Sequence, residues 1–321
     1  MLSAPTGIAL VGGIPTKSQD LAGSIIFAIA FALLAPLAIY RFSQPSSRTT
    51  TLIRPAIFIV ARIATYCIRA VIANGEYAIG LFTTELASPT PSAPSSSGTL
   101  PHQPSQGQGR ILLLTGSILL CEPLLNMLEA HVTRHREPSI YNKDLMDRAV
   151  RLLKLALLIA LILGIVAGSS IGGVEDGTGS LSSYKTERNT KVIITLAVVL
   201  LTIVVSVIAQ AQQSLPMTAT LHLIVCAALL ALNAIFKLYT CLKPGDPFST
   251  RTKVMFYALL STPEWLVTLL YLVFNIQELY QLQEHARKVK EEKRMKKAAK
   301  KAAKNGGGAE DLEQGKNFLS Q

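Results

Sequence analysis

Apolar residues come in seven long runs along this chain, each about as long as a membrane-crossing helix and each bounded by polar or turn-forming residues. The runs are Leu21–Tyr40, Arg54–Glu76, Ile111–Val132, Leu152–Gly168, Val192–Gln210, Ala219–Cys241 and Val254–Asn275. Roughly 20 consecutive apolar residues in a helix cross the hydrocarbon core of a bilayer. The pattern therefore predicts an all-α, polytopic membrane protein, a seven-transmembrane-helix bundle. Residues 1–20 form a short extracytoplasmic N-terminus, 21–276 the membrane domain, and 277–321 a cytosolic tail. In the first run the positive charges Arg41, Arg48 and Arg54 follow the apolar stretch. A cleaved signal peptide carries them before it, so this reads as an uncleaved span with its N-terminus outside.

The polar residues inside the runs carry the candidate chemistry. Arg62 and Arg69 lie seven apart in RPAIFIVARIATYCIRAVIANGE, which puts both guanidinium groups on nearly one helix face. A charge at bilayer depth costs on the order of 3 kcal/mol or more unless it is paired or hydrated. Candidate partners are Glu122, Asn126 and Glu129, at helical spacing in the third run. The sixth run adds Asn233 and Lys237, and the seventh adds Glu264. Pro263 predicts a kink in the seventh helix that frees backbone carbonyls beside Glu264.

Counting depth along each run at 1.5 Å per residue places Arg62, Glu122 and Glu264 near mid-bilayer, Glu129 nearer the cytosol, and Arg69 and Lys237 nearer the outer face. The expected pairs are Arg62 with Glu122 or Glu264, and Arg69 or Lys237 with Glu122 or Glu264. Two readings remain open. The network is a polar cavity that binds a ligand head group or conducts protons, or it is an ion-pair lattice that fixes helix packing.

Composition agrees with a membrane chain. Half of the 321 residues are hydrophobic and 16% are charged, against about 25% charged in soluble domains. The net charge of +11 does not describe a nucleic-acid-binding surface, because Arg287 to Lys304 alone holds ten Lys and Arg against two Glu. With the N-terminus outside, cytosolic segments hold 20 Lys and Arg, outer segments 8, and three lie within spans. That bias obeys the positive-inside rule.

The tail is expected to continue the seventh span as a helix, with Glu284 and Lys288 paired and an end at Asn305-Gly306. Its Lys293, Arg294, Lys296, Lys297, Lys300, Lys301 and Lys304 are expected to lie on anionic lipid. A docking site for a cytosolic protein is the alternative. Ser88 to Gly109 is a Ser, Thr, Pro, Gly and Gln segment that reads as a flexible loop permissive for O-linked sugars. Cys67, Cys121, Cys226 and Cys241 fall in or beside apolar runs and read as small core residues.

Several membrane chemistries find no residues here. A retinal protein needs a lysine in the last span, and Val254 to Asn275 has none. His131 and His222 at span ends are too few for a zinc hydrolase. A phosphate-cradling glycine loop and a nucleophile elbow are also missing from the sequence. The chain is thus expected to be no enzyme, with no metal and no cofactor. Its expected partners are membrane lipids and an amphipathic small molecule, not nucleic acid.

Four stretches carry a family likeness: VARIATYCIRA, TGSILLCEPLLNMLEAHVTRH, FKLYTCL and TPEWLVTLLYLVF. With them the chain resembles a group of uncharacterised fungal seven-helix membrane proteins, distantly similar in layout to the fungal lipid-translocating exporter and resistance family. The resemblance implies a multi-pass protein of the plasma membrane or an endomembrane, with amphipathic lipids or lipid-like toxins as cargo. Transport at a polar site between spans two, three, six and seven is the expected function. A sensor signalling through the tail, or a structural membrane protein, is the alternative.

Overall fold

The computed structural model describes residues 12–13, 15–44, 47, 49–74, 110–134, 143–175, 180–213, 216–243, 245–246, 248–282 and five tail positions, Arg287, Arg294, Met295, Lys297 and Ala298. Among the described residues all regular structure is helical: α1 (Lys17–Ala32), α2 (Leu34–Ser43), α3 (Ile53–Ala73), α4 (Arg110–Arg134), α5 (Lys143–Glu175), α6 (Leu181–Gln213), α7 (Met217–Leu242), α8 (Thr250–Phe256), α9 (Thr262–Val273) and α10 (Ile276–Tyr280). Six segments are long and apolar enough to cross a membrane: α1 with α2, α3, α5, α6, α7, and α8 with α9. Helix α4 is also long enough, at 25 residues. It carries Glu122, Asn126, Glu129 and His131.

The helices outrun the apolar runs at both ends of α5 and at the start of α6. The linker before Arg151 is helical from Lys143, and GSSIGG does not end α5, which runs to Glu175. The polar stretch before Val192 is likewise the first part of α6. Hydropathy marks the apolar part of a helix, whereas the backbone ladder continues until a capping signal stops it.

Each segment packs on the next, and α9 closes the ring against α7 and α2. Inside it, α4 also touches α6, α7 and α9. The α1–α2 segment is tied to the last one at three levels. Trp265 Nε1 donates to the Ala30 carbonyl at 3.0 Å, and Asp20 pairs with Lys253 at one end. At the other end Arg41 donates to the Leu272 carbonyl at 2.7 Å and to that of Val273. A cation on the final carbonyls of a helix also meets the negative end of its dipole.

The tail does not continue α9. Phe274 turns extended (ψ 140°), α10 follows, and Gln281 ends it in the left-handed region at φ 50°. Ile276, Gln277 and Tyr280 are buried, because α10 lays its apolar side on α4. The expected Glu284–Lys288 pair lies outside the described residues. Cys67 also departs from its expected place. It is exposed, out of phase with the buried Arg62, Tyr66 and Arg69 on the same helix.

Gly23 lets the Tyr257 ring lie against α1, since a Cβ there would stand 2.8 Å from it. Gly23→Leu is expected to displace that ring and lower stability by about 1–3 kcal/mol, the usual cost of overpacking. Thermal unfolding of the purified protein measures it, and an unchanged melting point would contradict the close contact.

Candidate functional site

The buried face of α3 carries Phe58, Arg62, Tyr66 and Arg69 at three- and four-residue spacing. Arg62 and Arg69 go to different partners. Arg62 Nη2 lies 2.5 Å from Glu264 Oε2 in the first turn of α9, and Lys237 Nζ of α7 lies 3.6 Å from Glu264 Oε1. The Glu264 side chain is fully buried and Arg62 is 4% exposed. The Phe58 ring lies 5.0 Å from the Arg62 guanidinium carbon. Gly116 of α4 leaves room for that guanidinium, because a Cβ would stand 3.3 Å from Nη2. Asn233, one turn before Lys237, is also buried. The site therefore lies between α3, α4, α7 and α9.

The helix opens just before Glu264. Tyr257–Ser261 is a π turn, and the Thr262 N–H reaches back five residues to the Tyr257 carbonyl. Pro263 has no N–H to give Leu259, so an α-helical ladder cannot continue through it. Side chains meet the loosened carbonyls: Thr262 Oγ1 donates to Tyr257 at 2.9 Å and Asn233 Nδ2 to Leu260 at 3.3 Å. Tyr66 donates its hydroxyl to Ser261 Oγ at 2.6 Å. The kink expected from Pro263 thus takes the form of a π turn, a feature common at functional sites.

Arg62, Lys237 and Glu264 meet as ions without completing directional hydrogen bonds. Arg62 Nε and Nη2, Lys237 Nζ, both Glu264 carboxylate oxygens and Asn233 Oδ1 are buried with no hydrogen-bond partner among protein atoms. Two cations share one carboxylate. Breaking such an arrangement from its minority side is costly, because it leaves like charges buried together.

Arg69 belongs to a second network. Its Nη2 donates to Asp20 Oδ1 at 2.8 Å and to the Gly12 carbonyl at 2.7 Å. Lys253 Nζ reaches Asp20 Oδ2 at 2.7 Å and Thr16 Oγ1 at 2.6 Å. Tyr257 donates to Asp20 Oδ1 at 3.2 Å, and the Arg69 guanidinium carbon stands 4.7 Å from the Phe256 ring centre. Gly12 holds the approaching chain at φ 90°, in contact with that same ring. Asp20 and Lys253 each adjoin an apolar run, where a charge reads as a loop residue. The structure instead buries both, at 0% and 1% exposed.

The third-run acids leave the expected network. Glu122 pairs with Arg54, so the Arg62–Glu122 pairing is replaced by Arg62–Glu264. Lys154 Nζ of α5 contacts Glu129 Oε2 at 2.5 Å and Asn126 Oδ1 at 2.9 Å. Both of these ion pairs are half-buried. Depth along a helix placed these groups at suitable levels, but the direction in which each side chain leaves the helix decides the partner.

Arg188 and Lys191 of α6 are buried as well, at 4% and 3% exposed, and a further polar cluster lies near α10. His222 Nδ1 and the Tyr280 hydroxyl are 2.9 Å apart, and Tyr280 donates to the Ala219 carbonyl at 2.9 Å. His131 Nε2 lies 3.0 Å from Thr220 Oγ1. Among the described residues no three His, Cys, Asp or Glu form a group able to hold a metal ion. Of the tail cations, Arg294 and Lys297 are exposed. Lys293, Lys296, Lys300, Lys301 and Lys304, like the loop 88–109 and the expected end at Asn305-Gly306, lie outside the described residues. Compared with family models, curated proteins and solved structures, the chain matches none of them.

Proposed function

We propose that this chain is a seven-span membrane protein, N-terminus outside and C-terminus cytosolic, that transports or translocates an amphipathic small molecule or lipid at the Arg62–Lys237–Glu264 site. Its surface supports the membrane placement. Within the six apolar segments only 22% to 61% of the most hydrophobic window is buried, and Ile26, Ile39, Val60 and Leu152 are each more than 60% exposed. Apolar surface on that scale needs lipid around it. Helix α4 packs on α3, α5, α6, α7 and α9, which supports reading it as the remaining span, with its polar residues turned to neighbouring helices.

The observation that carries the functional reading is that Arg62, Lys237, Glu264 and Asn233 are buried together with two cations on one carboxylate and hydrogen bonds left incomplete. Buried polar atoms in folded proteins are nearly always satisfied, so such a concentration at one level of the bundle suits a site completed by a ligand or by water. In the Asp20 network both carboxylate oxygens are taken, by Arg69, Lys253 and Tyr257, which supports reading it as architecture. The distant likeness in layout to the fungal lipid-translocating exporter and resistance family points to lipid-like cargo for this site.

The test is reconstitution of the purified protein alone in lipid vesicles, with redistribution of a fluorescent lipid analogue between leaflets as the readout. Redistribution above that of empty vesicles is expected. Equal rates with and without the protein, across single-chain and two-chain analogues, would reject transport.

A further inference from the structure

We propose that the Arg62–Lys237–Glu264 site takes an anionic head group, a carboxylate or phosphate monoester carrying a single negative charge. This deepens the proposed function and rests on its reading of the site as a ligand site.

The charge balance and the unspent donors carry the inference. Arg62 and Lys237 bring two positive charges to the single carboxylate of Glu264. A buried surplus cation is unfavourable by itself and is relieved by an anion. The atoms left over are suited to that guest. Arg62 Nε has no protein acceptor, and among the described residues Arg62 Nη2 and Lys237 Nζ meet only Glu264, which leaves further N–H groups on both. A guanidinium edge presents a planar fork that matches carboxylate and phosphate oxygens, and an ammonium adds a point charge beside it. The Glu264 carboxylate, already in contact with both cations, has further lone pairs to accept from a hydroxyl, such as that of a singly ionised phosphate monoester, or from water that enters with it. Tyr66, the nearby neutral hydroxyl, is already spent on Ser261.

Lys237 is the residue that distinguishes this inference from simple packing. The Arg62–Glu264 pair is neutral without it, so its ammonium supplies the surplus. Its side chain is 13% exposed, against 4% for Arg62 and 0% for Glu264, which makes it the most accessible of the three. Removing Lys237 should therefore do two opposite things. The unliganded protein becomes more stable, and stabilisation by an anion disappears.

The experiment is thermal unfolding of the full chain in a neutral maltoside detergent with added twelve-carbon amphiphiles that differ only in head group: dodecyl phosphate, dodecanoate, dodecanol and dodecyltrimethylammonium. Near saturation the two anions are expected to raise the melting temperature by roughly 5 °C, and the neutral and cationic compounds are not. Lys237→Met and Lys237→Gln raise the unliganded melting temperature and abolish the anion shift, while Lys237→Arg keeps it. Replacing Lys296, Lys297, Lys300 and Lys301 by Gln keeps the shift, because the tail is not the site. Inorganic phosphate that reproduces the shift alone identifies a free anion as the guest, and an effect confined to the amphiphiles identifies a lipid head group. Equal shifts for all four head groups, an anion shift that survives Lys237→Met, or one lost with the tail lysines would each overturn the inference. Redistribution of neutral or cationic analogues in vesicles without an anion-specific shift would overturn it and leave transport standing. An anion-specific shift without redistribution would reject transport and leave the anion site standing.

Discussion

Glu264→Gln is expected to be the most destabilising single change in the ion network, at about 3–5 kcal/mol. The substitution preserves shape, so its cost is electrostatic. It leaves Arg62 and Lys237 facing each other with no counter-charge, since Glu264 is the partner of both. Arg62→Met is expected to cost less, because Lys237 remains 3.6 Å from Glu264 and the pair left behind is neutral. Lys237→Met is expected to cost nothing or to stabilise. The triple change Arg62→Met, Lys237→Met, Glu264→Gln should recover most of the loss, as apolar replacement of a complete buried network often does. Melting curves in detergent give the order. If Arg62→Met proves worse than Glu264→Gln, the packing of Arg62 on Phe58 and Gly116 outweighs the charge balance.

Asp20→Asn is expected to cost a similar amount, about 3–5 kcal/mol, and to have a local signature as well. Asp20 is the only acid in contact with Arg69 and Lys253 among the described residues, and both are at most 3% exposed. Its loss frees the segment from Gly12 to Thr16, which is held by donors from Arg69 and Lys253. A cysteine placed at Thr16 should react faster with an impermeant maleimide in the Asp20→Asn background than in the parent. Arg69→Lys should fall between, since one ammonium cannot both hold the Gly12 carbonyl and reproduce the stack on Phe256. An unchanged labelling rate together with an unchanged melting point would contradict the lock.

The contrast between these two networks explains what the sequence discloses. Arg62, Lys237, Asn233 and Glu264 are legible because charge inside a long apolar run has no bland reading, and counting residues gives each an approximate depth. The shared face of Arg62 and Arg69 follows from their spacing alone. Partner choice does not, because it depends on the rotation of each helix about its axis and on which helices are neighbours. Glu122 has a suitable depth for Arg62 and still pairs with Arg54. Asp20 and Lys253 escape because hydropathy stops at the apolar boundary, whereas α1 and α8 begin outside it. Pro263 announces an interruption, but a π turn and a kink differ only in how the surrounding side chains meet the freed carbonyls. For α10, the charges of the tail suggest a straight helix, while burial of Ile276 and Tyr280 requires a fold back onto α4.

The central claim is that the Arg62–Lys237–Glu264 network is a site of action, with the Asp20 network as its fixed frame. The most direct measurement is lipid-analogue redistribution in vesicles that contain the charge-free triple variant, Arg62→Met, Lys237→Met, Glu264→Gln, compared with the parent protein at equal insertion. The account predicts a variant that melts at or near the parent temperature and moves no analogue. A variant that is folded and moves the analogue at the parent rate would reduce the network to helix packing.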